Sequence, residues 1–359
     1  MSSIYNFYAG PAVIYEEVLR EAQEEFMNFA DTGMSVLTVS HRSKAFDAVM
    51  VEAEANMKEL MGLGDDYRVL FLQGGASTQF SMIPMNFLLE GRTADYILTG
   101  SWSEKALKEA KKIGQTHVVY DGSTTNYTHI PAQEEMVFSE DPVYVHMTSN
   151  NTIYGTEFDK IPQTDAPLIA DMSSDILSKP MDFGRFAMIY AGAQKNLGPA
   201  GVTVVVIKKD LLETAQDVNA TMLKYSTHAD KNSLYNTPPA FSVYMVNLVL
   251  RHLKKLGLDH VAANNEEKAK VIYDAIDASG GFYKGHADKE SRSLMNITFT
   301  MDSPELEKKF VAEGEAADFI GINGHRSVGG LRASVYNAMP LEGAKAFAEF
   351  MAEFMRKNG

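Results

Sequence analysis

Short apolar runs alternate with amphipathic helical patterns along the first two thirds of the chain. Predicted helices cover 77–89, which Pro84 could kink, and 101–113, with Ser101 as the candidate cap. The alternation predicts an α/β fold with a mostly parallel sheet wrapped by helices. The β-branched run 202–207 is typical of a strand covered on both faces. The predicted strands are 67–72, 95–99, 116–120, 143–147, 168–171, 186–190 and 202–207.

The pattern changes after about residue 257. A long helix is predicted over 259–279, followed by a strand, a helix, a strand and a final helix from about Leu341. This order indicates a second, smaller α+β domain. We therefore predict a large domain over 16–257 and a small domain over 258–359, with the N-terminal segment 1–15 packing near the small domain.

Composition narrows the class of protein. The chain has 359 residues, a formal net charge of −14 and no cysteine. The acidity and the lack of a basic stripe argue against nucleic acid as a partner. Every apolar run is too short to span a bilayer, and no signal peptide is visible, so we expect a cytoplasmic protein with no membrane partner. Without cysteine, disulfides, cysteine–zinc sites and cysteine nucleophiles are excluded, and no metal site is predicted.

The most informative segment is 189–201, where a predicted strand runs into a loop of small residues around Lys195. Glycines and alanines leave room for a flat ligand close to the backbone. A lysine in a desolvated pocket loses proton affinity and can attack carbonyl groups. A solvated lysine on a turn is the ordinary alternative, but the neighbouring small residues and the groups described next favour a reactive amine.

Three other features could complete a site around this lysine. Asp171 ends an apolar run, where a carboxylate would point into the crevice of an α/β sheet. The Gly74-Gly75 turn precedes a helix and could bind a phosphate. Trp102, the only tryptophan, could stack on a flat ring. Each also has a purely structural interpretation: a cap for the segment after Asp171, a plain strand-to-helix turn, and a core tryptophan.

Together these segments resemble the phosphoserine aminotransferases, a family in the class V group of fold-type I pyridoxal-phosphate enzymes. The similarity runs in order from residue 5 to about 355, and the combined pattern is specific although each piece alone is not. The resemblance implies a fold-type I aminotransferase architecture and a homodimer with active sites at the subunit interface. The matching segments are 6–12, 40–43, 74–77, 191–201, 235–239 and 329–334.

The resemblance also implies a role for each site residue. Lys195 would bind pyridoxal 5′-phosphate covalently and later move the substrate α-proton, while Asp171 would hold the pyridine nitrogen. Trp102 would stack on the ring, and Thr152 would lie near its hydroxyl. The cofactor phosphate would be bound by Ala76, Ser77 and Gln194, and by Asn236 and Thr237 of the neighbouring subunit.

Two His–Arg pairs and a further arginine indicate anionic substrates, because the guanidinium group matches carboxylate and phosphate oxygens. Arg332 would bind the α-carboxylate. The pairs His41-Arg42 and His325-Arg326 would bind the phosphate of phosphoserine or the side-chain carboxylate of glutamate. The implied ping-pong reaction converts L-glutamate and 3-phosphohydroxypyruvate into 2-oxoglutarate and O-phospho-L-serine. It serves serine biosynthesis, and the family's second substrate would add pyridoxine biosynthesis.

Two alternatives stay open at this stage. Another class V enzyme, such as an alanine–glyoxylate or serine–pyruvate transaminase, would share the cofactor residues but has no use for two His–Arg pairs. A cysteine desulfurase is excluded by the absence of cysteine. A non-catalytic phosphate-binding α/β protein would need only the Gly74-Gly75 turn.

Overall fold

The computed structural model describes residues 4–217 and 220–359. Helices flank a central sheet, and further helices pack against a smaller sheet near the C-terminus. The α-helices are α1 (Glu16–Glu25), α2 (Lys44–Met61), α3 (Gly75–Phe87), α4 (Ser101–Ala110), α5 (Lys209–Glu213), α6 (Tyr225–Asp230), α7 (Ala240–Leu256), α8 (Leu258–Asp277), α9 (Pro304–Ala316) and α10 (Leu341–Asn358). Short 3₁₀ turns cover Phe29–Asp31, Gly122–Thr125, Gln133–Glu135, Phe183–Arg185, Thr221–Leu223 and Lys289–Ser291.

The strands form one large sheet, one small sheet and two short pairs. They are β1 (Tyr5–Asn6), β2 (Tyr67–Leu72), β3 (Thr93–Leu98), β4 (Gln115–Asp121), β5 (Val145–Thr148), β6 (Asn150–Asn151), β7 (Thr156–Glu157), β8 (Leu168–Asp171), β9 (Met188–Gly192), β10 (Thr203–Lys208), β11 (Lys284–Gly285), β12 (Asn296–Thr300), β13 (Phe319–Ile320) and β14 (Leu331–Ser334).

The large sheet has seven strands in the order β2-β10-β9-β8-β5-β3-β4. All are parallel except β10, which runs antiparallel to both of its neighbours. Its five residues Thr203–Ile207 are buried, as expected for a strand covered on both faces. The α/β class and the mostly parallel sheet predicted from the pattern are therefore confirmed.

The small sheet, β11-β12-β14, is antiparallel and packs against α8, which in turn packs against α10. The N-terminal segment lies beside it: β1 pairs with β13, and the Phe7 ring packs 4.8 Å from that of Phe347, centroid to centroid. A separate apolar cluster joins Phe7 to the small sheet and its helices. Within the described residues, none of the helices has the length and apolarity required to cross a bilayer.

One local prediction was wrong. Ser101 does not cap α4; it is the first helical residue, and Gly100 is the N-cap. The capping hydroxyl belongs instead to Ser103, whose Oγ accepts hydrogen bonds from the backbone N–H groups of Thr99 and Gly100 at 3.0 and 3.1 Å. Because Ser103 is fully buried behind the turn, its side chain reaches the preceding backbone and Ser101 is not needed there.

Candidate active site

The candidate site lies at one edge of the large sheet. Because β2, β3, β5, β8 and β9 run in the same direction, their carboxyl ends meet at this edge. The Gly74 turn follows β2, the Trp102 helix follows β3, Asp171 ends β8, and Lys195 follows β9 within three residues. Four of the segments selected from the sequence are thus brought to the same place by the strand order.

Lys195 points its amine into this edge. Its Nζ donates a hydrogen bond to Thr152 Oγ1 at 2.7 Å. Burial lowers the pKa of Lys195 to about 8; the charge of Asp171 opposes this shift and the charge of Arg332 adds to it. An amine with this pKa is partly unprotonated near neutral pH, which is the form that attacks a carbonyl carbon.

Asp171 is 4% exposed and held from three directions. Its Oδ1 accepts from the Ser173 N–H at 2.9 Å, and its carbonyl oxygen accepts from both the N–H and the hydroxyl of Ser149, each at 3.0 Å. Burial raises the pKa of Asp171, while hydrogen bonds from Ser173 and the charge of Lys195 act against the rise. The carboxylate therefore caps the turn that follows Asp171, which was the purely structural interpretation of this residue. It also faces the Lys195 amine.

The Gly74-Gly75 turn leaves an open space in front of α3. Both glycines have positive φ, 92° and 65°. A Cβ on Gly74 would lie 2.0 Å from Thr78 Oγ1, whereas a Cβ on Gly75 would meet nothing within 4 Å. The first N–H groups of a helix lack partners within it, and Ala76 and Ser77 occupy these positions of a 13-residue helix. Open space before such a helix end fits a phosphate group.

Trp102 is half-buried at the second residue of α4, and its Nε1 is buried with no hydrogen-bond partner among the described residues. Lys105, one turn later, places its Nζ 4.1 Å from the centroid of the indole ring. A tryptophan that serves only the core seldom keeps a buried N–H unpaired. This orphaned donor, the open space before α3 and the amine beside a carboxylate together fit a flat phosphorylated aldehyde.

Arg332 reaches the same site from the small sheet. Its Nη1 donates to the carbonyl oxygen of Thr152 at 3.2 Å, so Thr152 links Arg332 to Lys195. Arg332 is 9% exposed, burial lowers its pKa, and its buried Nε lacks a partner within the described part of the chain. None of the ion pairs in residues 4–217 and 220–359 involves Arg332. The guanidinium is therefore available to a ligand carboxylate.

His325 and Arg326 lie on the loop before β14. Nδ1 of His325 is 2.7 Å from Ser327 Oγ. The pKa of His325 is lowered by burial first, and then by the nearby charges of Arg332, Lys105 and Arg326. These interactions place four basic side chains together on a protein whose net charge is −14. Lys105 was missed from the sequence because nothing in its helical pattern distinguishes it from other exposed lysines.

Fewer contacts connect the remaining predicted residues to the site. His41 Nε2 is buried and finds no partner among residues 4–217 and 220–359, and Arg42 is exposed. No hydrogen bond or ion pair in the described segments joins either of them to Lys195 or Arg332. Asn236 Nδ2 donates to Gln73 Oε1 at 3.0 Å, beside the glycine turn of the same chain. The exposed Thr237 follows it.

The N-terminal segment also contributes to the site. The Ala12 N–H donates to the Gln194 carbonyl oxygen at 2.8 Å, and a Cβ on Gly10 would lie 3.4 Å from Cγ of Lys195. Tyr336 donates its hydroxyl proton to the carbonyl oxygen of Ala9 at 2.9 Å. The segment therefore closes one side of the Lys195 loop, which no local pattern in the sequence indicates. Among the described residues, no group of three or more His, Asp or Glu side chains is arranged to hold a metal ion.

Comparison with known proteins agrees with this geometry. The family model for class V aminotransferases matches residues 4–347. The chain belongs to the class V aminotransferases. A phosphoserine aminotransferase of Herpetosiphon aurantiacus is 57% identical, with 99% of this chain and 100% of the relative covered. The structure of the phosphoserine aminotransferase of Bacillus circulans subsp. alkalophilus is 53% identical, covers 100% of both chains and superposes with a TM-score of 0.98.

A third similar protein bears on the cofactor. A pyridoxal-phosphate-bound phosphoserine aminotransferase of Trichomonas vaginalis is 38% identical, covers 98% of this chain and 100% of its own, and superposes with a TM-score of 0.93. This class V aminotransferase is accordingly a pyridoxal-phosphate-dependent transaminase with the fold-type I architecture. The predicted family, fold and cofactor are confirmed, whereas the roles of the individual site residues stay predictions.

Proposed function

We infer that this chain is a phosphoserine aminotransferase, which transfers the amino group of L-glutamate to 3-phosphohydroxypyruvate and yields O-phospho-L-serine and 2-oxoglutarate. One observation carries the substrate class: the charges of Arg332, Arg326 and Lys105 all act on His325, and that of Arg332 also acts on Lys195, so basic side chains gather near the lysine of an acidic protein. Such a cluster concentrates anionic substrates locally. Similar relatives with the same printed activity support the assignment.

Pyridoxal phosphate, when bound, supplies an electron sink for the charge that develops at the substrate α-carbon. We propose that this chain holds it through a covalent link to Lys195, with Asp171 at the pyridine nitrogen and Trp102 against the ring. Ala76 and Ser77 would bind its phosphate at the start of α3, with Gln194 beside them. Thr152 would lie near the ring hydroxyl, in accord with its hydrogen bond to the lysine amine.

Different side chains then orient the substrate and transfer its proton. Arg332 orients the α-carboxylate by a forked pair of hydrogen bonds, which fixes the α-carbon relative to the lysine. Lys195 accepts the α-proton at its Nζ and returns it to complete the transfer. Its pKa of about 8 suits both directions of that transfer near neutral pH. Arg326 and His325 would bind the distal phosphate or carboxylate, and His41 with Arg42 would complete that subsite.

We further propose a homodimer. Helix α1 and the segment after it expose large apolar side chains: Leu19, Met27 and Leu37 are 48%, 74% and 59% exposed. A neighbouring groove is lined almost entirely by apolar groups, which belong to α1, to α7 and to the segments beside them. Apolar surface of this kind is typical of an interface between subunits. Asn236 and Thr237 would then reach the phosphate of the neighbouring subunit.

The oligomeric state is testable by sedimentation of the purified holoenzyme. A dimer at micromolar concentration that Leu37→Glu dissociates would support the interface, while a wild-type monomer would contradict it. The cytoplasmic location and the use of the pyridoxine-pathway substrate also stay predictions.

The activity itself is tested in two steps. Borohydride treatment of the yellow holoenzyme should bleach it and add the mass of the reduced cofactor to the peptide that contains Lys195. Rates with phosphoserine and with alanine as amino donors then separate this assignment from the alanine–glyoxylate type. Substantially faster turnover of alanine would overturn the substrate assignment, and protein that stays colourless with added cofactor would favour a phosphate-binding protein without this chemistry.

A further inference from the structure

A buried acidic cluster lies directly behind the candidate site. Asp175 follows Asp171 by four residues and is 1% exposed, while Asp171 and Glu157 are each 4% exposed. Three carboxyl groups therefore share one interior region. Burying a charged carboxylate is unfavourable unless a cation or several hydrogen-bond donors compensate it.

Two of the three carboxyl groups are compensated. Glu157 accepts from Lys179 Nζ at 2.6 Å and from the Leu294 N–H at 2.8 Å. Asp171 faces the Lys195 amine and accepts from the Ser173 N–H. Asp175, in contrast, forms no ion pair in the part of the chain that the structure describes; its side-chain hydrogen bond joins it to the neutral Ser149. The third carboxyl group thus feels the charge of Lys179 only at a distance and has no ion pair of its own among the described residues.

The single hydroxyl proton of Ser149 indicates in which protonation state the buried Asp175 is accommodated. Ser149 Oγ lies 2.6 Å from Asp175 Oδ1 and 3.0 Å from the carbonyl oxygen of Asp171. A serine hydroxyl has only one proton to donate. If Asp175 were ionised, that proton would serve two acceptors. If Asp175 is a carboxylic acid, it donates to Ser149 Oγ, and Ser149 donates onward to Asp171, so that each contact has its own proton.

We propose that Asp175 carries a proton in the resting protein and, through Ser149, is a positioning residue that fixes the end of β8 on which Asp171 stands. It touches neither substrate nor cofactor. The inference depends on the arrangement behind the sheet edge and not on which amino acid is the substrate, so it can fail while the proposed function stands.

The electrostatic surroundings agree with a neutral Asp175. Burial, and with it the charges of Glu157 and Asp171, raises the pKa of Asp175 to about 7, while the hydrogen bond of Ser149 and the charge of Lys179 act against the rise. Loss of this proton would place a new negative charge near Lys195 and raise the pKa of the lysine amine. Protonated Asp175 therefore helps to keep that amine reactive.

A cavity beside Asp175 gives solvent a route to this proton. A cavity of about 450 Å³ is lined by Asp175 and Ser149 and has the exposed Asp159 and Lys160 among its lining residues. The other charged groups that line it are Lys179, Asp182 and Arg185.

The test compares Asp175→Asn with a matched control, Asp95→Asn. Asn presents an N–H donor to Ser149 as the protonated acid does, so D175N mimics the proposed state. Asp95 is equally buried, but its two oxygens accept from the N–H and the hydroxyl of Ser139 at 2.9 and 2.7 Å. An amide there keeps an acceptor for the Ser139 N–H, but the Ser139 hydroxyl must turn from donor to acceptor and both hydrogen bonds lose the charge of the carboxylate. We expect D95N to lower the melting temperature at both about pH 5.5 and about pH 9. D175N should leave the melting temperature unchanged at about pH 5.5.

The pH dependence adds a second criterion. A carboxyl group whose pKa is raised from its ordinary value to about 7 makes the wild type lose stability as pH rises from about 4 to about 7. D175N lacks this loss, so its melting temperature should exceed that of the wild type at about pH 9. In infrared difference spectra between these pH values, the wild type should show a carboxylic-acid C=O band that D175N lacks.

Three results would overturn the inference. The first is D175N destabilised at about pH 5.5 to the extent of D95N, including failure to fold. The second is the absence of the acid band from the wild type. The third is a melting curve of D175N that follows the wild type at both pH values.

Discussion

The two halves of the candidate site are built differently. Around the half-buried Lys195 and the buried Asp171, the polar groups are bonded to other parts of the same chain. Around Arg326 and Arg42, the side chains are exposed, and the nearby contacts are short-range ones within the loop. Arg332 stands at the boundary, bonded once to Thr152 and otherwise unpaired within the described residues.

This difference separates two tasks. A group that must hold a reactive pKa and a fixed geometry needs a dry surrounding with every partner in place. A group that exchanges a phosphate for a carboxylate at each half-reaction benefits from solvent access and side-chain freedom. Changes in the buried half should therefore affect rate and stability, whereas changes in the exposed half should affect mainly KM and its dependence on salt.

The largest expected effect is that of Lys195→Ala. Removing the amine removes both the covalent link and the proton carrier, and positioned proton transfer alone contributes roughly 10²–10⁴-fold to a rate. We expect transamination to fall by at least this factor while the protein still binds cofactor non-covalently. Single-turnover absorbance changes with phosphoserine measure the loss.

Lys179→Ala serves as the control for this experiment, because Lys179 is also a partly buried lysine beside a carboxylate. It should lose stability but still bind the cofactor covalently, as shown by peptide mass after borohydride treatment. Wild-type turnover by the Lys195 variant would disprove the assigned role.

The second-largest expected effect is a loss of stability, at a buried lysine next to the site. Lys268 is fully buried and donates to the carbonyl oxygens of Val335 and Tyr336 at 3.0 and 2.7 Å, just after the strand that carries Arg332. Lys268→Met leaves these carbonyls without donors, which should cost about 2 kcal/mol in the free energy of unfolding. Denaturant titration measures it, and Lys270→Met, an exposed position on the same helix, is the control.

The pH dependence of this variant has a definite sign. Burial lowers the pKa of Lys268 to about 7, below its ordinary value of 10.5. The unfolded chain therefore binds more protons between these values, so wild-type stability gains a rising contribution across that window. The deficit of Lys268→Met should grow from neutral to alkaline pH. A deficit that shrinks would contradict a buried amine at this position.

The sequence predicted those site residues that can be recognised from their immediate neighbours in the chain. Asp171 ends an apolar run and Lys195 sits among small residues, and both signals are visible within a few positions of the chain. Ser149, Asp175 and Lys268 were not predicted, because their partners are set by how strands and helices pack and not by neighbouring residues. Helices α1, α2 and α7 were also not identified.

The Ser101 prediction failed for a similar reason. Ser101 and Ser103 both lie near the start of α4, and either hydroxyl could bond to the backbone there. The buried Ser103 is the one that does so. Position in the sequence indicated that a hydroxyl caps this helix, but only packing shows which hydroxyl reaches the backbone.

Arg332→Ala tests the boundary between the halves. A charge-assisted hydrogen bond to a carboxylate contributes about 1.5–3 kcal/mol, so kcat/KM should fall roughly 10–100-fold. The fall should be similar for glutamate and phosphoserine, because both carry the α-carboxylate. Arg332→Lys should recover only part of it, since lysine lacks the planar fork. Loss confined to phosphoserine would mean that Arg332 binds the distal anion instead.

The smallest expected effect lies in the exposed half. Arg326 is solvent-exposed, so its interaction with a substrate anion should be worth about 1 kcal/mol, or roughly fivefold in KM. Arg326→Ala should raise KM more for phosphoserine than for glutamate, because the phosphate carries more charge, and added salt should narrow the gap. Arg92→Ala removes another exposed arginine, directly before the amino end of β3 and so away from the site, and should change neither KM. If Arg326→Ala instead lowers kcat equally for both substrates at every salt concentration, the loop belongs to the rigid half of the site, and the division drawn between the two halves fails.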